Sequence, residues 1–444
     1  MTDPITLRVR FGKIPLLMLF AAIALVFVGV PTLSAADQAP SGATEADIVA
    51  VAEEFGVSPQ VAQSRLEFQA RFSEVVNLIA VQVPSYVDSA LSDDFATNSG
   101  TVLLADATKA EWQAAASLLA PLGDTVALKP ARLTAAEEEK MFDTARDRLA
   151  WLEDCGRSIA LGWAADIDRL TVVVGGSPVK LGQPEREMIQ SDLSDLASDV
   201  TVRDGPEDFN EDCPTNPTKT GGVTEGGRMI AECGVNDCTA GFSVRLISNP
   251  ARTGVLTAAH CNDFANDTDD WWYIRYADGT TPYSTVRYAD HEDYDHGDIM
   301  FLREWFASAT PQPRVYMYGQ LWQEIDSFQY ENPRNAWVIA KGAQTANIFG
   351  HLWANMWGTI VDNTVEVATN GVMPDTNFRY AAVDYGDDSG TTWQLSPRSG
   401  DSGSPVYLAR STTALGIHKG GNPGWEIYSK IGYALQDMNL ELLP

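Results

Sequence analysis

Positive charge is scarce in this chain: 31 Lys and Arg stand against 60 Asp and Glu, a formal net charge of -29 over 444 residues. A field of that sign repels polyanions and excludes an ordinary nucleic-acid binder. Beyond the first 36 residues no apolar run is long enough to cross a bilayer as a helix, so no stable membrane association is expected of the rest. Cysteine is also rare, five in all, which excludes a small disulfide-stapled scaffold. No internal repeat is visible, and no histidine occurs before His260.

What is present reads as globular: 45% hydrophobic and 20% charged residues, over a length that suits two or three domains. The start is basic (Arg8, Arg10, Lys13), then apolar from Ile14 to Val30, then small at Ser34-Ala35-Ala36. That order predicts a signal peptide over residues 1–36 and export to the extracellular side, with an uncleaved N-terminal anchor as the alternative. Four of the cysteines, Cys213, Cys233, Cys238 and Cys261, cluster in one region, as disulfides in an oxidising compartment would, and Cys155 lies apart.

Residues 37–203 predict an α+β module. Glu45 to Phe55 is amphipathic, and Ser58-Pro59 supplies an N-cap and first-turn proline for a second helix with apolar positions from Val61 to Ile79. Strands are expected at Thr101–Leu104 and Thr125–Leu128, helices at Glu111–Leu119 and Ala135–Leu152, and a closing strand at Thr171–Val174. Residues 204–227, with Asp204-Gly205-Pro206, Thr220-Gly221-Gly222 and Glu225-Gly226-Gly227, read as a linker and a site of proteolytic processing. From 228 to 444 short apolar runs alternate with turn residues, which favours a barrel or sandwich.

Two motifs in that last part carry chemistry: Thr257-Ala258-Ala259-His260-Cys261 and Gly400-Asp401-Ser402-Gly403-Ser404-Pro405. A serine hydroxyl is a weak nucleophile until a base takes its proton, the role assigned to His260 acting on Ser402. The imidazole needs a carboxylate to fix its tautomer and stabilise its charged form. Asp293, Asp295 and Asp298 compete for this, and Asp298 leads because the apolar run Ile299-Met300-Phe301-Leu302 follows it directly. The order His, Asp, Ser belongs to chymotrypsin-like triads, not to α/β-hydrolases or subtilisins, and Ser404 breaks the G-x-S-x-G pattern of the hydrolases. Gly400 and Ser402 are expected to turn their backbone N–H groups toward an oxyanion.

Residues 228–444 resemble the bacterial branch of the chymotrypsin-like serine peptidases, typified by alpha-lytic protease and streptogrisins. The segment from Cys238 to Val244 followed by Thr257 to Cys261 is similar to that group's opening. The resemblance implies a double β-barrel fold, acyl-enzyme hydrolysis of protein or peptide substrates and a Cys238–Cys261 disulfide, which leaves Cys213 with Cys233 by arithmetic. It also implies that residues 37–203 are a pro-region acting in cis, with Gly162 to Asp166 leading into Leu170–Val174 similar to the end of such pro-regions. An accessory domain that stays attached is the alternative.

The specificity pocket is expected between Ser396 and Ser399 on one side and Leu415 to Gly421 on the other. No aspartate stands at Ser396, against Lys or Arg specificity. Gly416-Ile417-His418 before Gly420-Gly421 resembles the glutamyl endopeptidases, which implies that His418, with Ser396 and Ser399 as donors, receives an acidic side chain; the alternative is a structural histidine on a core strand beside an uncharged pocket. Lys419 adds positive potential if it points inward. The acids Asp263, Asp267, Asp269 and Asp270 lack the spacing of a calcium loop, and His291 and His296 sit among solvated acids, so no metal and no cofactor are expected. Beside the endopeptidase stand two other functions: a catalytically silent binding or adhesion protein, and an esterase on the same scaffold.

Overall fold

The computed structural model describes residues 45–154, 157–175, 181–204, 229–232, 237–261, 271–275, 285–290, 297–304, 312–317, 321–342, 356–367, 380–385, 397, 400–422 and 425–444. Residues 1–36, expected as a signal peptide, the expected linker after Asp204, the acidic loop after Cys261, His291, His296, and Cys155, Cys213 and Cys233 lie outside the described residues, as do Ser396 and Ser399.

The N-terminal half is α+β. A helical hairpin, α1 (Glu45–Glu54) and α2 (Pro59–Gln82), opens it, with Ser58 Oγ accepting from Val61 N at the start of α2. Strands β1 (Tyr86–Leu91), β2 (Gly100–Leu104) and β3 (Val126–Pro130) form a small sheet, and α3 (Lys109–Leu119) makes the crossover between the parallel pair β2 and β3. Thr108 and Glu111 cap α3 reciprocally. Next come α4 (Ala135–Asp154), the hairpin β4 (Ser158–Ala164) and β5 (Arg169–Gly175), then α5 (Gln183–Leu193) and β6 (Asp199–Asp204). Thr171–Val174 therefore does not close the module: β6 pairs in parallel with β5 after a helical crossover. Buried Ile189 and Leu193 are all that α5 contributes to the fully buried core, too sparse a stripe to mark a helix by periodicity.

The C-terminal half is built on antiparallel sheets. Strands β7 (Met229–Glu232), β8 (Asp237–Thr239), β9 (Ser243–Leu246), β10 (Asn249–Thr257), β11 (Trp271–Arg275), β12 (Thr285–Asp290) and β13 (Met300–Glu304) join the C-terminal strand β23 (Leu440–Leu442) in one sheet, ordered β23-β9-β10-β13-β12-β11-β7-β8. Strands β14 (Arg314–Met317) and β15 (Leu321–Glu324) form a hairpin, and β16 (Ser327–Phe328) runs parallel to β21 (Thr413–Asn422). The other large sheet holds β17 (Trp337–Ala340), β18 (Met356–Val367), β19 (Tyr380–Asp384), β20 (Pro405–Leu408), β21 and β22 (Trp425–Lys430). The order β17-β20-β21-β22-β19-β18 returns to β17, a closed six-stranded antiparallel barrel. Helix α6 (Ile431–Asp437) links it to β23. This is the chymotrypsin-like β-barrel architecture, preceded by an α-containing region.

The two halves share sheet and core. Strand β18 overruns the barrel, and Thr364–Val367 pair with Trp163–Ala160 of β4, so β4, β5 and β6 extend the barrel sheet. Gln69 of α2 bonds both ways with the backbone of Trp337, at 2.8 and 2.6 Å. The ring of Phe55 packs edge-on to that of Trp337 and stacks on Phe95. Asp362 of β18 accepts from Arg169 of β5 and from Trp425 of β22, at 3.0 and 2.8 Å.

Candidate active site

Strand register brings the first two site residues together. Thr257 of β10 pairs with Met300 of β13, so His260, three residues on in a 3-10 turn, meets Asp298, two residues before β13 begins. Asp298 Oδ1 accepts the His260 backbone N–H at 2.8 Å, and Oδ2 accepts from His260 Nδ1. Asp298 is fully buried, and its own N–H donates to Ser429 Oγ of β22 at 3.0 Å. On the other side of the ring, His260 Nε2 lies 2.9 Å from Ser402 Oγ. The imidazole thus bridges the carboxylate and the hydroxyl, the arrangement in which a serine proton has a base to go to.

Ser402 sits in the tight loop before β20, at the seam of the two large sheets. Thr239 N donates to Ser402 O at 2.7 Å and Thr239 Oγ1 to Gly400 O at 2.9 Å, which ties the loop to the first sheet. Gly403 N donates to His418 O at 2.8 Å, which ties it to the barrel. Gly403 has φ +89°, and a Cβ there would lie 2.1 Å from Thr239 O and 2.2 Å from Thr257 Oγ1, so only glycine fits. Gly400 has φ +96°. The Ser402 hydroxyl also lies 3.1 Å from the Lys419 carbonyl, a second acceptor for its one proton. Cys261, next to His260, is disulfide-bonded to Cys238 beside Thr239, which pins the histidine turn to β8.

His418 of β21 is fully buried, with its ring edge-on to Tyr385 at 6.1 Å between centroids. Burial lowers its pKa, opposed by the charges of Glu426 and Asp401. Gly420 and Gly421 continue the strand, and Gly421 packs where a Cβ would meet Trp425 O at 2.6 Å.

Lys419 is the residue whose role sequence reasoning left open. It points inward: its Nζ lies 2.8 Å from Asp298 Oδ2, with both side chains inaccessible to solvent. Burial alone would raise the Asp298 carboxyl. The charges of His260 and Lys419, with their hydrogen bonds, overcome it and hold the group far below the usual carboxylate range. Alternation places His418 and Lys419 on opposite faces of the strand, and both are buried, as is every residue of the neighbouring β20 and β22. A bulge falls here: His418 pairs with Tyr428 and Gly420 with Ile427, which leaves Lys419 as the extra residue. Among the described residues no cluster of His, Cys, Asp and Glu could hold a metal ion, and no helix is long and apolar enough to cross a membrane.

No family model matches the chain, and no curated protein matches it significantly. Solved structures do. A chymotrypsin from Cellulomonas bogoriensis matches at 19% identity over 50% of this chain and 99% of its own, with TM-score 0.36. Protease A of Thermobifida fusca matches at 22% over 50% and 99%, with TM-score 0.37. A glutamic acid-specific serine protease, described as using a histidine triad in substrate binding, matches at 21% over 50% and 100%, with TM-score 0.37. In fold, half of this chain is similar to the bacterial chymotrypsin-like serine proteases over nearly their whole length.

Proposed function

We propose that the chain is an exported serine endopeptidase in which Ser402 attacks the peptide carbonyl, His260 takes and returns the proton, and Asp298 orients His260 and stabilises its charged form. The observation that carries this is the imidazole held between Asp298 and Ser402, with the nucleophile at 2.9 Å from Nε2. Attack forms a bond from Oγ to the carbonyl carbon while the hydroxyl proton moves to Nε2. Collapse of the tetrahedral intermediate expels the amine, which takes that proton, and leaves an acyl-enzyme that water hydrolyses by the same steps. Gly400 N and Ser402 N are assigned to the oxyanion.

Substrates are proteins or peptides, and an acidic side chain before the cleaved bond is part of the proposal. Its support is His418 beside the nucleophile loop, flanked by Gly420 and Gly421. Glu426 and Asp401 compete for the same imidazole, so the preference depends on an N–H of His418 turning to the substrate. Residues 37–203 are assigned as a pro-region acting in cis, supported by the β4–β18 pairing and the Gln69–Trp337 bonds, with processing in the segment after Asp204.

The test is fluorophosphonate labelling and cleavage of peptides ending in Glu, Phe, Ala or Lys by the secreted protein and its Ser402→Ala variant. Labelling and cleavage are expected in the wild type and absent in the variant, with the Glu peptide cut fastest. A processed wild type that neither labels nor cleaves overturns the assignment in favour of a silent binding protein. Labelling with ester but no peptide hydrolysis makes the protein an esterase.

A further inference from the structure

Proton transfer among Ser402, His260 and Asp298 has no need of a fourth charged group, yet a buried lysine stands against the acid. Lys419 Nζ bonds to Oδ2 of Asp298, the same oxygen that accepts from His260 Nδ1. An ammonium without solvent is costly and persists when it is paired and hydrogen-bonded, as Lys419 is here, and it sits at a bulge of β21. Among the described residues the charged groups that act on Asp298 are His260 from the turn after β10 and Lys419 from β21, while β22 contributes the uncharged Ser429. Glu426 and Asp401 act on His418, the next side chain along β21.

On the serine endopeptidase reading above, we infer that Lys419 is a positioning residue of the triad: it fixes the Asp298 carboxylate and weakens that carboxylate's hold on a protonated His260, which carries the acid limb of activity to lower pH than the same triad would have without it. Because both groups bond to one oxygen, the ammonium stands close to a protonated ring, and the two positive charges repel. Taking the lysine away removes the repulsion, makes protonation of the ring easier and moves the acid limb upward.

The experiment compares wild type with Lys419→Met and Lys419→Gln, following kcat/KM and the fluorophosphonate labelling rate across pH. The acid limb is expected to rise by at least about one pH unit in both variants. A loss by the same factor at every pH, with the limb unmoved, makes the lysine merely structural and overturns the inference. A second readout is independent of turnover: in the Ser402→Ala background, the NMR signals of the His260 ring, assigned with a His260→Asn variant, are followed against pH with and without Lys419→Gln. They are expected to change at higher pH in the Gln variant, and coincident curves overturn the inference. A wild type that does not cleave but whose ring signals move with the lysine retains the role of Lys419 and discards the peptidase assignment.

Discussion

Glu138 gives a stability prediction that follows from one buried carboxyl. It lies on α4, 5% exposed, with Oε1 accepting from Trp163 Nε1 at 3.0 Å. Burial, then the charge of Asp88, pushes it up to about 8 from 4.5, against the Trp163 bond and Lys430. The folded chain therefore holds a proton that the unfolded chain releases between those values. Stability from this group is complete below the unfolded value and is lost as pH rises through the folded one. At about 1.4 kcal/mol per unit the whole window is worth about 5 kcal/mol, and local relaxation on ionisation leaves about 2 to 3 kcal/mol. Glu138→Gln keeps an acceptor for Trp163 and cannot ionise. Asp88, pushed up to about 7 by burial and Asp166, adds a slope of the same sign to both proteins, so the difference between them is the readout. Urea unfolding of the full chain by tryptophan fluorescence, in the Ser402→Ala background, is expected to show equal stability near pH 4 and a variant about 2 to 3 kcal/mol more stable near pH 8. A gap that is the same at both pH values refutes the reasoning.

Gly403→Ala forces a Cβ into Thr239 O and Thr257 Oγ1 at a positive φ, and is expected to lower the fluorophosphonate labelling rate of the protein at least about tenfold. A labelling rate equal to wild type counts against the loop geometry. Cys238→Ser with Cys261→Ser opens a disulfide spanning 23 residues and is expected to lower stability by about 3 kcal/mol in urea unfolding, with earlier loss of labelling than of β-structure.

Much of the site was legible from local sequence because local chemistry dictates it. The turn at His260, the glycine-flanked Ser402 and the cap at Ser58 each depend on residues within a few positions, and the sequence order of His260, Asp298 and Ser402 points to one kind of barrel. The choice of Asp298 over nearby acids came from the apolar run after it, and register with β10 is what delivers it to His260. Other features depend on contacts between residues far apart. The polar helix α5 and the strands β1, β4 and β6 are held by partners that periodicity does not reveal, and β4 finds its place only because β18 overruns the barrel to meet it.

The direction of Lys419 is the plainest case. Alternation along β21 assigns His418 and Lys419 to opposite faces, and nothing in their neighbours announces that Tyr428 and Ile427 of β22 will take His418 and Gly420 as partners and leave one residue over. The sequence by itself put forward His260, Asp298 and Ser402 as one candidate group, because each stands in a short local motif. Only the tertiary structure decided which cation stands beside Asp298, because Lys419 and Asp298 lie far apart in sequence and meet only when the two large sheets pack together.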